Sequence, residues 1–95
     1  MKIDVEGHEF ATLQGAQRIL ETDRPVLLIE SVRVLHPRAP GHIFELLASL
    51  NYRGLFVWAG RLHPAEVFVP EVHQPLLPEG GAGAPFAWNF MFLPA

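Results

Sequence analysis

Cysteine is absent from the 95 residues, so disulfide staples and thiolate chemistry are excluded. Basic residues are few: seven Lys and Arg against ten Asp and Glu give a formal charge of −3. They are also scattered, whereas a phosphate-binding surface needs them clustered, so a nucleic-acid partner is not expected. No apolar run approaches the ~20 residues needed to cross a bilayer, and no signal-peptide core follows Lys2. The chain therefore reads as soluble and cytoplasmic, with no membrane partner. Metal-ligand spacing is missing too: His36, His42, His63 and His73 form neither HxH nor HxxxH. The one glycine-rich run, Gly80-Gly81-Ala82-Gly83, precedes no helix and cannot act as a phosphate cradle. No internal repeat is visible.

What is abundant is apolar surface. Hydrophobic residues make up 49% of the chain, with a mean hydropathy of +0.20. A single domain this short buries only a modest share of its surface. The surplus points to a face meant for a missing part of the fold or for a second copy.

The chain opens on Lys2-Ile3-Asp4-Val5-Glu6-Gly7-His8-Glu9. Ile3 and Val5 are β-branched and suit a strand over residues 1–5, while Gly7 permits a sharp corner into a helix. Phe10, Leu13, Ala16 or Gln17, and Leu20 then recur at helical spacing up to Thr22. Gly15 inside that helix costs up to ~1 kcal/mol, and a close approach to the sheet would compensate. Asp23-Arg24-Pro25 stops the helix. Residues 25–32 lack polar alternation until Glu30 and read as a strand buried on both faces, as in a parallel sheet. Strand, helix and strand make a right-handed βαβ unit.

A second helix is predicted over Gly41 to Leu50, ended by Asn51 in a left-handed conformation. Residues 52–59 form a third strand, Gly60-Arg61 a hairpin turn, and residues 62–69 a return strand held to an edge by Pro64. A loop over 70–85 leads to a last strand over 88–93, with Phe90 and Phe92 on one face and Asn89, Met91 and Leu93 on the other. Trp58, Trp88, Phe56 and Phe86 are expected in the core with them. The fold class is α/β, β-α-β-α-β-β, with a mostly parallel sheet.

The stretch KIDVEGHEFATLQGAQRILETDRPVLLIE resembles the middle of the FkbM-type S-adenosylmethionine-dependent methyltransferases, with their K-I-D-V-E-G-x-E strand end, L-x-G-A helix and P-V-L-L-x-E strand. The likeness is sharp over residues 1–30 and fades towards Ala95. It implies that residues 1–95 are the C-terminal half of a partial Rossmann-like class I methyltransferase domain. Residues 1–5, 25–32, 52–59 and 87–93 would then be its fourth to seventh strands, the last inserted antiparallel between the second and third strands here. The implied activity is O-methyl transfer to a small molecule or saccharide, with S-adenosylmethionine held mainly by a half this chain does not contain. The alternative is a non-enzymatic assembly or regulatory module on the same scaffold.

Asp4 and Glu30 should stand at the carboxyl ends of neighbouring parallel strands, where such sheets bind ligands. As catalytic candidates, Asp4 would deprotonate a substrate hydroxyl and Glu30 would line the acceptor pocket, with His8 beside them. Burial would raise the Glu30 pKa unless a partner offset it. Glu6 and Glu9 are substrate-binding candidates; the plainer reading is that they favour the positive end of the first helix. No metal is expected. A bare edge at residues 2–5 would recruit a partner, so either a homodimer or the missing N-terminal half is expected.

Overall fold

The computed structural model describes residues 1–5, 7–32, 38–75 and 86–95. Strand β1 (Lys2–Ile3) turns into helices α1 (Glu9–Gly15) and α2 (Gln17–Thr22), then strand β2 (Leu27–Glu30). Helix α3 (Gly41–Ser49) leads to the hairpin β3 (Tyr52–Trp58) and β4 (Arg61–Pro64). A 3₁₀ turn (Ala65–Val67) and the single-turn helix α4 (Pro70–His73) precede strand β5 (Asn89–Pro94). Loop 33–37 and the glycine run at 80–83 lie outside the described residues, as does Glu6.

The sheet order is β1-β2-β5-β3-β4. Strand β5 sits between β2 and β3, the insertion that the sequence resemblance implied. It also corrects the expectation of a mostly parallel sheet. Strands β1 and β2 pair in parallel, but β5 runs against both β2 and β3, and β4 runs against β3. Three of the four ladders are therefore antiparallel, because the last strand occupies the place where β2 and β3 would otherwise meet.

One face of this sheet carries the core. Ile3, Leu27, Ile29, Tyr52, Phe56, Phe90 and Phe92 pack with Leu13 and Leu20 of the first two helices and Ile43 and Leu47 of α3. Gly54 belongs to that face, and a Cβ there would come within 2.7 Å of Phe92 and 2.9 Å of Ala65. Phe68 and His73 close the far end, with ring centroids 5.3 and 4.8 Å from Phe56. Among the described residues no helix covers the opposite face. Leu28 is 40% exposed, Met91 37%, Val57 50% and Leu62 60%. Both-face burial of residues 25–32 is thus corrected: the described helices all pack on one side, and Val26 and Leu28 look out from the other.

Local chemistry explains the joints. Gly7 adopts φ 94°, which permits the corner after β1. The first helix is interrupted at Ala16, whose φ of −99° and ψ of 8° leave helical geometry. Gly15 faces open space rather than the sheet, so no close approach compensates its cost. Asn51 takes φ 61° after α3, as a left-handed helix end requires. Arg24, itself at φ 51°, reaches across to that helix end. Its guanidinium donates to the Leu50 carbonyl and, at 2.7 Å, to the Asn51 carbonyl, while lying 4.6 Å over the Tyr52 ring. Tyr52 Oη donates to the Pro25 carbonyl at 2.7 Å. Burial pushes the Tyr52 pKa up, with Arg24 opposing.

The hairpin turn falls one residue earlier than predicted. Trp58 pairs with Arg61, leaving Ala59 and Gly60 as the loop, at φ 51° and 75°. Two positive φ angles are what a type I′ turn demands, and its twist matches that of the strands. The return strand ends at Pro64, on the sheet edge as expected, and residues 65–73 coil into two short helical turns instead of extended chain and loop. Trp88 departs from the expected core: it is 51% exposed, with its ring tilted against that of Phe86, centroids 5.7 Å apart.

Candidate functional site

The parallel ladder of β1 and β2 sets the geometry of the acid-bearing corner. Lys2 pairs with Leu28 and Ile3 with Ile29. The ladder ends at Ile3, short of the strand expected over residues 1–5, so Asp4 directly follows the last paired residue of β1 while Glu30 ends β2. Both stand at the carboxyl ends of their strands, the end at which open α/β sheets bind ligands. Ile3 and Ile29 point to the core, so alternation within β2 turns Glu30 to the opposite face. Asp4 is exposed and Glu30 half-buried. Asn89 of β5 pairs with Glu30 and extends the polar corner by one strand.

The remaining candidates separate. Val5 accepts a turn hydrogen bond from the His8 backbone N–H at 3.2 Å, which holds the corner shut. His8 is exposed at the start of α1; its carbonyl accepts from the Thr12 hydroxyl, and its ring makes no capping bond. Glu9 turns inward instead. It is 2% exposed, and its carboxylate accepts the Gly7 backbone N–H at 2.8 Å. That bond satisfies a donor at the start of the helix, the plainer of the two roles considered for Glu9. Asp4 and Glu30 thus follow and end the two paired strands, His8 is exposed at the start of α1, and Glu9 braces the turn.

Three residues carry structure at this end that the sequence reading did not single out. Ser31, directly after Glu30, is fully buried, and its hydroxyl has no hydrogen-bond partner among the described residues. Gln74, also fully buried, donates its amide to the Ser31 carbonyl at 2.8 Å and the Ala87 carbonyl at 2.7 Å. His73 accepts the Val69 backbone N–H on Nδ1 at 2.8 Å, among the rings of Phe56, Trp58 and Phe68. Burial, reinforced by the nearby His63, holds the His73 pKa below its ordinary value. Gln74 and His73 lie in a proline-rich stretch with no periodic pattern, so only their tertiary contacts reveal them.

A cavity of about 140 Å³ opens between α3 and β3, lined by Phe44, Ala48, Tyr52, Gly54 and Phe92 with Ala65 and Glu66 at its side. It lies at the amino ends of β2 and β3, away from Asp4 and Glu30. Cofactor pockets start at about 300 Å³, so this cavity does not fit S-adenosylmethionine, and no glycine-rich loop among the described residues offers a place for one. No three His, Asp or Glu side chains converge as a metal site among the described residues. None of the described helices is long and apolar enough to cross a membrane.

Residues 1–53, from the first strand to the start of β3, match the model of the methyltransferase FkbM domain. No curated protein and no solved structure matches the chain.

Proposed function

Since this chain belongs to the FkbM methyltransferase family, we propose that it forms the acceptor side of an O-methyltransferase acting on a hydroxyl of a small molecule or saccharide. The observation that supports the reading is the parallel register of β1 on β2, Ile3 opposite Ile29, because Asp4 and Glu30 are the next residues at the carboxyl end of the only parallel ladder among the described residues. An exposed carboxylate there can accept the proton of an acceptor hydroxyl as that oxygen becomes a nucleophile, help typically worth about 10²–10⁴-fold in rate. Glu30, half-buried one strand away, orients the acceptor by hydrogen bonding, and His8 borders the entrance. In the family the methyl group comes from S-adenosylmethionine. The described residues do not fit that cofactor, so it is held by polypeptide other than these residues.

Joining the chain to the cofactor-binding half of a family member tests the reading. The hybrid should transfer labelled methyl groups to hydroxyl acceptors, and Asp4→Asn should slow transfer about 10²–10⁴-fold. An Asp4→Asn hybrid with an unchanged rate overturns the role given to Asp4. The chain by itself should give no heat of binding with S-adenosylmethionine in calorimetry; micromolar binding would contradict the division of labour. A second reading, a non-enzymatic module serving assembly or regulation, is favoured by the same small cavity. A hybrid that folds and binds cofactor, yet methylates no hydroxyl acceptor, would decide for it.

A further inference from the structure

We propose that the bare sheet face binds a second copy of this chain, packed face to face about a two-fold axis that runs over Met91. The face is apolar at its centre and charged at two opposite corners, with Lys2 beside Leu28 at the margin formed by β1. Leu28, Met91 and Leu55 form one row across β2, β5 and β3. Glu30 lies two residues beyond Leu28 on β2, and Arg53 two residues before Leu55 on β3. Alternation with buried Ile29, Tyr52 and Phe56 places both charges on the open side. With about 4.8 Å between strands and 3.3 Å per residue, they stand roughly 16 Å apart, and Met91 marks the midpoint.

That arrangement is self-complementary. A two-fold axis in the plane of the face, perpendicular to the line from Glu30 to Arg53, sets Glu30 against the partner's Arg53 and Arg53 against the partner's Glu30. Met91 then meets the partner's Met91. The same axis runs outward over Leu62, the most exposed large apolar residue on the face, and brings it against the partner's Leu62. The strands of the two sheets cross at about 70°, close to the orthogonal class of sheet packing. A two-fold interface needs one patch that complements itself, and these paired corners supply it.

This face competes with the sheet edge as the route to a dimer. Strand β1 has only two residues in its ladder, Lys2 and Ile3, which offers an incoming strand few backbone partners. The face instead presents Leu28, Val57, Leu62 and Met91, all more than a third exposed. Packing there also brings the partner's Arg53 beside Glu30, so a second copy would supply a cation to the acid-bearing corner. The interface rests on strand register alone and stands or falls apart from the methyl-transfer reading, whose test uses the hybrid protein.

Sedimentation velocity and a single cysteine test it, since the native chain has none. The wild-type chain should be dimeric at 100 µM. Met91→Cys should cross-link to itself through a bis-maleimide spanning the ~10 Å between packed sheets, while Glu21→Cys on the far side of α2 should not. Glu30→Arg and Arg53→Glu should each weaken the dimer at least tenfold, and the double reversal should restore it. All four positions are at least partly exposed, and circular dichroism confirms that each variant folds. A monomer at 100 µM overturns the proposal. So does cross-linking through Lys2→Cys but not Met91→Cys, which would assign the dimer to the sheet edge. A double reversal no tighter than either single change also overturns it.

Discussion

His73 couples the end of the sheet to pH. Its Nδ1 accepts the Val69 N–H, so the ring is held neutral with its proton on Nε2. Its pKa in the folded chain is lowered from 6.5, first by burial and then by His63. Between that lowered value and 6.5 the unfolded chain binds more protons than the folded one, so stability rises with pH across the window. The urea midpoint should therefore fall as pH drops below about 6.5. His73→Leu should flatten that slope while losing about 1 kcal/mol at pH 8 with the Val69 bond. A wild-type midpoint that stays level from pH 7 to 5 would contradict this. Gly54 is constrained by space instead. A Cβ there would press on the Phe92 ring and the Ala65 methyl, and overpacking of this kind costs about 1–3 kcal/mol. Gly54→Ala should lose that much by urea unfolding; the cavity beside Phe92 lets the ring yield, which favours the lower figure.

At the scale of elements, strong local signals were legible and tertiary placement was not. Asp23-Arg24-Pro25 stops the helix at Thr22 because proline cannot continue it, and Asn51 ends α3 at positive φ, both as read. Periodicity marked α3 within a residue. The hairpin register slipped by one because Ala59, not Arg61, accepts the positive φ beside Gly60. Residues 70–73 became a helical turn for want of any signal but Pro70 at its start. For the site, β-branched Ile3 and the corner at Gly7 were legible, whereas the inward turn of Glu9 depends on a hydrogen bond to a backbone group that no spacing reveals. Gly15 was expected to approach the sheet, but its missing Cβ faces open space. Gly15→Ala should therefore stabilise the chain by about 0.5–1 kcal/mol, since nothing opposes the gain in helix propensity. Thermal unfolding reads this directly, and a loss would mean that the break at Ala16 needs the glycine.

Across the whole molecule, the governing fact is one-sidedness. A run such as Val26-Leu27-Leu28-Ile29 reads as buried on both faces, because sequence cannot say whether a second layer is present. Here the described helices cover only the face of Leu27 and Ile29, and both of those residues are fully buried. Neighbouring residues of one strand should then respond to the same change very differently. Ile29→Thr removes core packing and places a hydroxyl in the buried cluster beside Phe90, which should cost about 2–4 kcal/mol. Leu28→Thr introduces a β-branched residue that suits the strand and gives up only partly exposed surface, so it should cost under about 1 kcal/mol. Urea unfolding of both variants at low micromolar concentration, below self-association, makes the comparison. Equal losses would mean that the outer face is already covered within a single chain. Unequal losses at low concentration that converge at high concentration, as Leu28→Thr grows costlier, would show a second molecule covering Leu28.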